Sequence, residues 1–281
     1  MHILITGASG FIGKKLVSRL SGDHTVICLS RTAFEANAAF VQGAFDRPED
    51  LRGLDDRAIE LCIHLGAVTG GCSEEEGLDV NVLGTRRLYR YLLDRGCRRF
   101  VTASSIAAVG SLDDAFVPRS LPISDDHPCL ATDAYGLSKA MVEELTRYFQ
   151  RKEPEAEFVN LRFGAVASDD WAPSPVDLTA PMSVPFVVLA HVHAGDVVEG
   201  IVRVVEAPAR AGARNYNLVG PDISSDIPAR EALEALLGRT DGFDYYDEPG
   251  NAYKPLYAMD RFKADYGFAP ARPTGFRTTG R

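Results

Sequence analysis

Tyr135 and Lys139 stand four positions apart in Tyr135-Gly136-Leu137-Ser138-Lys139, a spacing that sets two side chains one turn apart on one face of a helix. A free phenol titrates near ~10 and exchanges protons poorly at neutral pH, but a neighbouring ammonium favours the phenolate and brings the group into range. The pair could therefore pass a proton to or from a carbonyl or alcohol oxygen. The same spacing occurs by chance on many exposed helices, so it needs supporting groups. Ser104-Ser105 supplies them at the end of the apolar run Phe100-Val101-Thr102-Ala103, where a hydroxyl at a strand terminus can hydrogen-bond the same oxygen.

A second cluster lies near the start. Thr6-Gly7-Ala8-Ser9-Gly10-Phe11-Ile12-Gly13 joins the apolar Ile3-Leu4-Ile5 to a stretch in which Ile12, Leu16, Val17 and Leu20 line one helical face. Glycines at such a crossing let the backbone turn sharply and approach a pyrophosphate, whose charge is met by free N–H groups and the helix dipole. The GxxGxxG spacing in that place predicts dinucleotide binding. The next strand ends Cys28-Leu29-Ser30-Arg31, with no carboxylate before Glu35. An acidic side chain there would accept the ribose hydroxyls of NAD, whereas Arg31 beside the small Ser30 suits the 2′-phosphate of NADP. NADP is the expected cofactor, with NAD the alternative.

Elements that must position these groups follow from hydrophobic periodicity. Strands are expected at 3–5, 25–29, 39–41, 59–64, 100–103 and 158–161, and the helices between them carry Leu78, Val82, Leu88 and Leu92, then Leu137, Met141, Leu145 and Phe149. Such alternation predicts an α/β, doubly wound parallel sheet, the Rossmann fold, with crossover helices on both faces. Four prolines within 168–185 mark a loop or lid carrying Trp171, Pro173, Val176, Leu178 and Met182, with Phe186 just beyond. Beyond it, a helix at 195–206, a strand at 215–219 and helices at 227–237 and 260–266 are expected. The expected division is a nucleotide-binding domain over 1–165, to which 190–220 returns, and a small substrate-covering subdomain over 166–281.

Taken together, TGASGFIG at Thr6 to Gly13, HLGA at His64 to Ala67, Asn81-Val82-Leu83-Gly84-Thr85, ASSIAAVG at Ala103 to Gly110 and YGLSK at Tyr135 to Lys139 resemble an extended short-chain dehydrogenase/reductase of the NAD(P)-dependent epimerase/dehydratase type. Leu161-Arg162, His191 to Asp196 and Asn215 to Gly220 extend the likeness to about residue 270. The resemblance implies that Ser105 polarises the substrate oxygen, Tyr135 is the acid–base, and Lys139 holds the nicotinamide ribose. It implies a cofactor cradle of Gly7, Ser9, Gly10, Phe11, Ile12 and Gly13, with Leu65, Gly66 and Ala67 on the adenosine side and Phe163 to Val166 near the nicotinamide amide. Asn81 would support the central helix or join a proton relay. A homodimer through helices near 80–93 and 135–150 is also implied.

Departures from that pattern narrow the reaction. Dehydratases of the family place an acid and a base just after the serine, but this chain has Ile106-Ala107, which cannot move protons. Nucleotide-sugar enzymes carry an asparagine where Ala165 stands, and cations for the diphosphate, yet no Lys or Arg occurs over 163–202. His191 and His193 lack a carboxylate or cysteine partner, so no metal is expected. Glu74-Glu75-Glu76 reads as a solvated helix start.

Composition agrees with this picture. With 281 residues, 46% hydrophobic and 25% charged, the chain carries enough apolar material for a full core. A net charge of −9 without a basic cluster argues against nucleic acid. Five scattered cysteines, a short apolar start and no long apolar segment predict a soluble cytoplasmic protein with no membrane partner. The leading expectation is an NADP-dependent oxidoreductase interconverting a secondary alcohol and a ketone on a sugar-like or small polar carbonyl substrate. A nucleotide-sugar epimerase is the alternative, and a non-catalytic NAD(P)-sensing protein a third reading that retention of Ser105, Tyr135 and Lys139 disfavours.

Overall fold

The computed structural model describes residues 1–177 and 180–275. Leu178 lies outside the described residues. The chain divides into two compact units, one of Met1–Ser104, Ala134–Leu161 and Val204–Asn215, the other of Ser105–Asp133, Arg162–Arg203 and the C-terminal stretch from Tyr216.

In chain order the first elements are β1 (His2–Thr6), α1 (Phe11–Leu20), β2 (Thr25–Ser30), β3 (Ala39–Gln42), α2 (Pro48–Leu51), β4 (Leu61–His64), α3 (Glu74–Glu76), α4 (Thr85–Leu93), β5 (Arg99–Ser105), α5 (Ala134–Lys152) and β6 (Glu157–Phe163). They are followed by β7 (Ala165–Ala167), α6 (Pro185–Val188), β8 (His191–His193), α7 (Ala194–Glu206), β9 (Gly212–Leu218), α8 (Ala229–Leu237) and α9 (Asp260–Tyr266). A seven-stranded sheet runs in the order β3-β2-β1-β4-β5-β6-β9, with the pairings from β3 to β5 parallel. This is the expected Rossmann architecture. The strand order reverses at β1, where Thr6 pairs with Leu29 on one side and His64 on the other, and the carboxyl ends of such strands are where ligands bind.

The first unit packs Leu4, Ile27, Leu88, Tyr89, Leu92, Phe100, Phe149 and Phe158 into one core, with Phe100 and Phe158 stacked at 4.9 Å. Two helices depart from the sequence reading. Gly77–Gly84, between α3 and α4, is wound as a π-helix, whose i→i+5 bonding shifts the phase of the apolar stripe. Leu88 and Leu92 are buried as expected, but Leu78 and Val82 are only half-buried and Leu83 is exposed; Gly77, Asn81 and Gly84 face inward instead. A Cβ on Gly77 would come within 3.2 Å of the Ala134 carbonyl oxygen and the Ser138 Cβ, so glycine permits the close approach of α5. On α5 the buried face is Gly136, Ser138, Lys139, Val142, Glu143, Thr146 and Phe149, and of the apolar residues that mark the helix in the sequence, Leu137 and Met141 are exposed. Polar side chains can turn inward there because each finds a hydrogen-bonding partner.

The second unit has its own core of Ile106, Phe116, Ile123, Phe186, Val219, Leu233, Phe243 and Tyr257. It also holds β7 paired in parallel with β8, a short sheet that the sequence reading did not anticipate. Among the described residues no helix is long and apolar enough to cross a membrane, and no group of three His, Cys, Asp or Glu side chains is placed to hold a metal ion.

Candidate active site

The glycine turn is built as a close-packed cradle. Gly7 has φ +67°, and a Cβ on it would lie 2.7 Å from the backbone nitrogen of Gly66, so both conformation and space require glycine. A Cβ on Gly13 would sit 2.3 Å from the Gly7 carbonyl oxygen, which fixes the close packing of α1 on the turn. Gly10 caps α1 without a side-chain hydrogen bond, and no acidic residue occupies the first turn of the helix. Phe11 is exposed, and Ile12 half-buried, at this helix start. Free N–H groups and the positive end of the helix dipole are therefore available to an anion. This cradle, which any added Cβ would fill, fits a dinucleotide pyrophosphate.

Ser9 Oγ lies 2.6 Å from Ser30 Oγ, joining the turn to the end of β2. Arg31 follows, exposed, and Lys14 on α1 stands 6.0 Å from the ring centre of Phe34. Arg31 is thus open to solvent at the strand end where the sequence reading places a 2′-phosphate.

Beneath the cradle runs a directed hydrogen-bond chain. Gly66 N–H donates to Thr6 Oγ1, 3.3 Å away, Thr6 Oγ1 is 2.6 Å from His64 Nδ1, His64 Nε2 is 2.9 Å from Thr85 Oγ1, and the Thr85 hydroxyl donates to the Asn81 carbonyl. Because the Thr85 hydroxyl is spent on Asn81, the imidazole donates to it from Nε2, and in the neutral ring Nδ1 accepts from the Thr6 hydroxyl. Burial, reinforced by the charge of Lys139, pulls His64 down to about 3. Leu65, Gly66 and Ala67 leave this buried strand end half-exposed.

Asn81, buried on the π-helix, spends its whole amide on local structure. Its Oδ1 accepts from the Val68 N–H (2.8 Å), and its Nδ2 donates to the Val68 carbonyl (3.0 Å) and to Ser138 Oγ (2.9 Å). Ser138 in turn donates to the Tyr135 carbonyl. Asn81 thereby ties the loop after β4 to the first turn of α5.

Lys139 is buried, and its Nζ donates to the carbonyl oxygen of Ala103 at 2.7 Å. The ammonium stands 5.6 Å from the ring centre of Tyr135. Burial lowers Lys139 to about 8, opposed by the charge of Glu143 and then of Cys72. The sequence reading missed Glu143. Its signal was available: it stands at i+8 from Tyr135 and i+4 from Lys139, on the same helical face.

Ser105, Phe163 and Val166 fall within the second unit. Ser105 is extended at the end of β5, and its Oγ accepts from the Ala107 N–H at 3.1 Å. Phe163 is buried at the end of β6, and Val166 pairs with Val192. In the same unit Trp171 stacks on His191 at 4.1 Å, and both ring nitrogens of His193 lie against backbone carbonyls, those of Ser168 and Pro273.

The model of the NAD dependent epimerase/dehydratase family matches residues 3–177. A UDP-glucose 4-epimerase of Pisum sativum is 27% identical over 57% of this chain and 51% of its own length. An L-arabinose 1-dehydrogenase (NAD(P)(+)) of Haloferax volcanii is 24% identical over 84% of this chain and 94% of its own. The chain spans about half the length of several of the epimerases it matches. Among solved structures, a short-chain dehydrogenase/reductase superfamily protein from Agrobacterium tumefaciens with bound NAD superposes with a TM-score of 0.72, at 21% identity over 98% of this chain and 94% of its own. A mutated uronate dehydrogenase gives 0.69 at 22% identity, over 97% and 82%.

Proposed function

The chain belongs to the NAD dependent epimerase/dehydratase family, and on that footing we propose that it is an NADP-dependent oxidoreductase interconverting a secondary alcohol and a ketone on a sugar-like or small polar carbonyl compound. One observation carries the reading: Tyr135 and Lys139 lie one turn apart on α5, with Lys139 anchored to Ala103 near the carboxyl end of a parallel strand. When bound, the nicotinamide supplies the hydride donor or acceptor. Tyr135 holds, at its phenolic oxygen, the proton that the substrate oxygen gains on reduction and returns on oxidation. Lys139 favours the phenolate and holds the nicotinamide ribose, while Ser105 hydrogen-bonds the substrate oxygen. Asn81 positions the first turn of α5.

For the cofactor, Gly7, Ser9, Gly10, Phe11, Ile12 and Gly13 receive the pyrophosphate, Leu65, Gly66 and Ala67 line the adenosine side, and Phe163 and Val166 stand by the nicotinamide amide. Ser30 and Arg31 take the 2′-phosphate. On the substrate side, residues 163–202 contain no Lys or Arg, whereas the described part of the lid carries Asp169, Asp170 and Asp177. That segment itself offers a diphosphate no cation, and the one beside it, Arg272, is already paired with the lid carboxylate of Asp169 at 3.2 Å, which favours a smaller or less charged substrate. Ile106 and Ala107 leave the dehydratase chemistry without its acid and base.

The epimerases among the relatives favour a second reading, in which the same side chains serve oxidation and re-reduction of one carbon of a nucleotide sugar. A screen of keto-sugars, sugar lactones and simple ketones for NADPH oxidation, with the purified protein assayed for retained cofactor, separates the two. Net NADPH consumption supports the oxidoreductase; tightly retained cofactor with no net consumption supports the epimerase. We further propose a homodimer through the helices carrying the exposed Leu83, Leu137, Met141 and Tyr148. Sedimentation of a Leu137→Glu, Met141→Glu double variant as a monomer would support that, and an unchanged dimer would contradict it.

A further inference from the structure

Glu143 is fully buried, and burying a carboxylate in a protein core is costly unless partners and counter-charge offset it. Its two oxygens are held separately. Oε1 accepts from Ser104 Oγ at 2.7 Å, and Oε2 accepts from Asn215 Nδ2 at 2.6 Å. The orientation of Asn215 is set in turn, because its Oδ1 accepts from Asn160 Nδ2 at 2.8 Å, and the same Nδ2 donates to Thr146 Oγ1 at 2.8 Å. Both bonds to Glu143 come from donors, the arrangement an ionised carboxylate satisfies. A carboxylate held at both oxygens, one turn beyond a buried lysine on the same helix, places a fixed negative charge near a positive one.

The attachment to β5 is double. Lys139 grips the Ala103 carbonyl and Glu143 grips the next residue, Ser104. We propose that Glu143 is a positioning residue for the Tyr135–Lys139 pair: its carboxylate, locked by Ser104 and Asn215, is the buried counter-charge that keeps the Lys139 ammonium protonated and seated on Ala103. This inference rests on the reading of that pair as the proton-handling group.

The groups facing Lys139 are few. Tyr135 and Glu143 come from its own helix, neutral His64 from β4, and the Cys72 thiol from the loop before α3. Of these, Glu143 and then Cys72 raise Lys139 against the larger lowering effect of burial. Removing the Glu143 charge therefore leaves burial less opposed, and the ammonium loses its proton at lower pH. A neutral amine no longer favours the phenolate, so the alkaline limb of turnover moves down with it.

The test needs neither substrate nor cofactor. The chain has six lysines, all described, of which Lys139 alone is buried. In protein labelled with [ε-13C]lysine, the resonance lost in K139R reports its titration. The expected midpoint is about 8 in the parent protein, lower by about one pH unit in E143Q, which keeps the shape and loses the charge, and close to the parent value in E143D. An unmoved midpoint in folded E143Q, or equal shifts in E143Q and E143D, overturns the proposal. E143M is the second charge-removing variant and is expected to match E143Q; failure of both to fold would confine Glu143 to the core and overturn it as well. A failure of the Tyr135–Lys139 reading itself is distinguishable, because it shows as undiminished turnover in Y135F and leaves the lysine titration untouched.

Discussion

Lys139 Nζ donates to the Ala103 carbonyl oxygen at 2.7 Å, so the residue four places after Tyr135 is fastened to the strand that ends in Ser104 and Ser105. An ammonium held by a backbone carbonyl cannot drift away from the phenol beside it, and the i, i+4 geometry becomes a fixed electrostatic pairing. Asn81, through Ser138, ties down the same helical turn. Proton transfer at Tyr135 would therefore occur in a preset field.

Gly13→Ala is expected to weaken cofactor binding by more than tenfold, because the new methyl would stand 2.3 Å from the Gly7 carbonyl oxygen and push α1 off the turn. The clash should also cost about 1–3 kcal/mol of stability. Fluorescence titration with NADPH and urea denaturation check the two effects; wild-type affinity in this variant would remove the cradle from cofactor binding.

Arg31→Asp is expected to reverse the coenzyme preference toward NADH. The side chain is exposed at the end of β2, so little loss of stability should accompany the change. Comparing NADPH and NADH affinities before and after the substitution decides the matter, an unchanged ratio being the contrary result.

Acid stability should carry a signature of His64. Burial lowers its folded-state pKa to about 3, below the ~6.5 of an unfolded chain. The unfolded state thus binds a proton that the folded state refuses. Stability from the neutral imidazole is fully present above about pH 6.5 and is lost as pH falls toward 3, at about 1.4 kcal/mol per pH unit. In urea unfolding between pH 6 and 4.5, His64→Gln should show a shallower decline than the parent protein; equal slopes would refute the assignment.

Much of this was legible in the residues. The glycine turn, the strand alternation and the end of β2 could be read because each depends on local pattern: backbone freedom, apolar periodicity and one side chain at a strand terminus. What escaped was long-range. The π-helix at Gly77–Gly84 rephases its stripe through packing against α5, which periodicity in one segment cannot register. Leu137 and Met141 mark the helix by spacing, yet the inner face of α5 went to Ser138, Lys139, Glu143 and Thr146, whose partners lie far away in sequence. Glu143 carries no motif of its own and becomes visible only when Ser104 and Asn215 are brought to it.

The most direct measurement is turnover and cofactor affinity of Tyr135→Phe, on whichever carbonyl compound the NADPH-oxidation screen identifies. Removing one hydroxyl leaves the ring, Lys139 and the glycine cradle in place. The expected result is a loss of turnover greater than tenfold, about 1.4 kcal/mol or more of barrier, with NADPH affinity unchanged. Near-normal turnover in that variant would contradict the assignment of Tyr135 as the proton donor and acceptor.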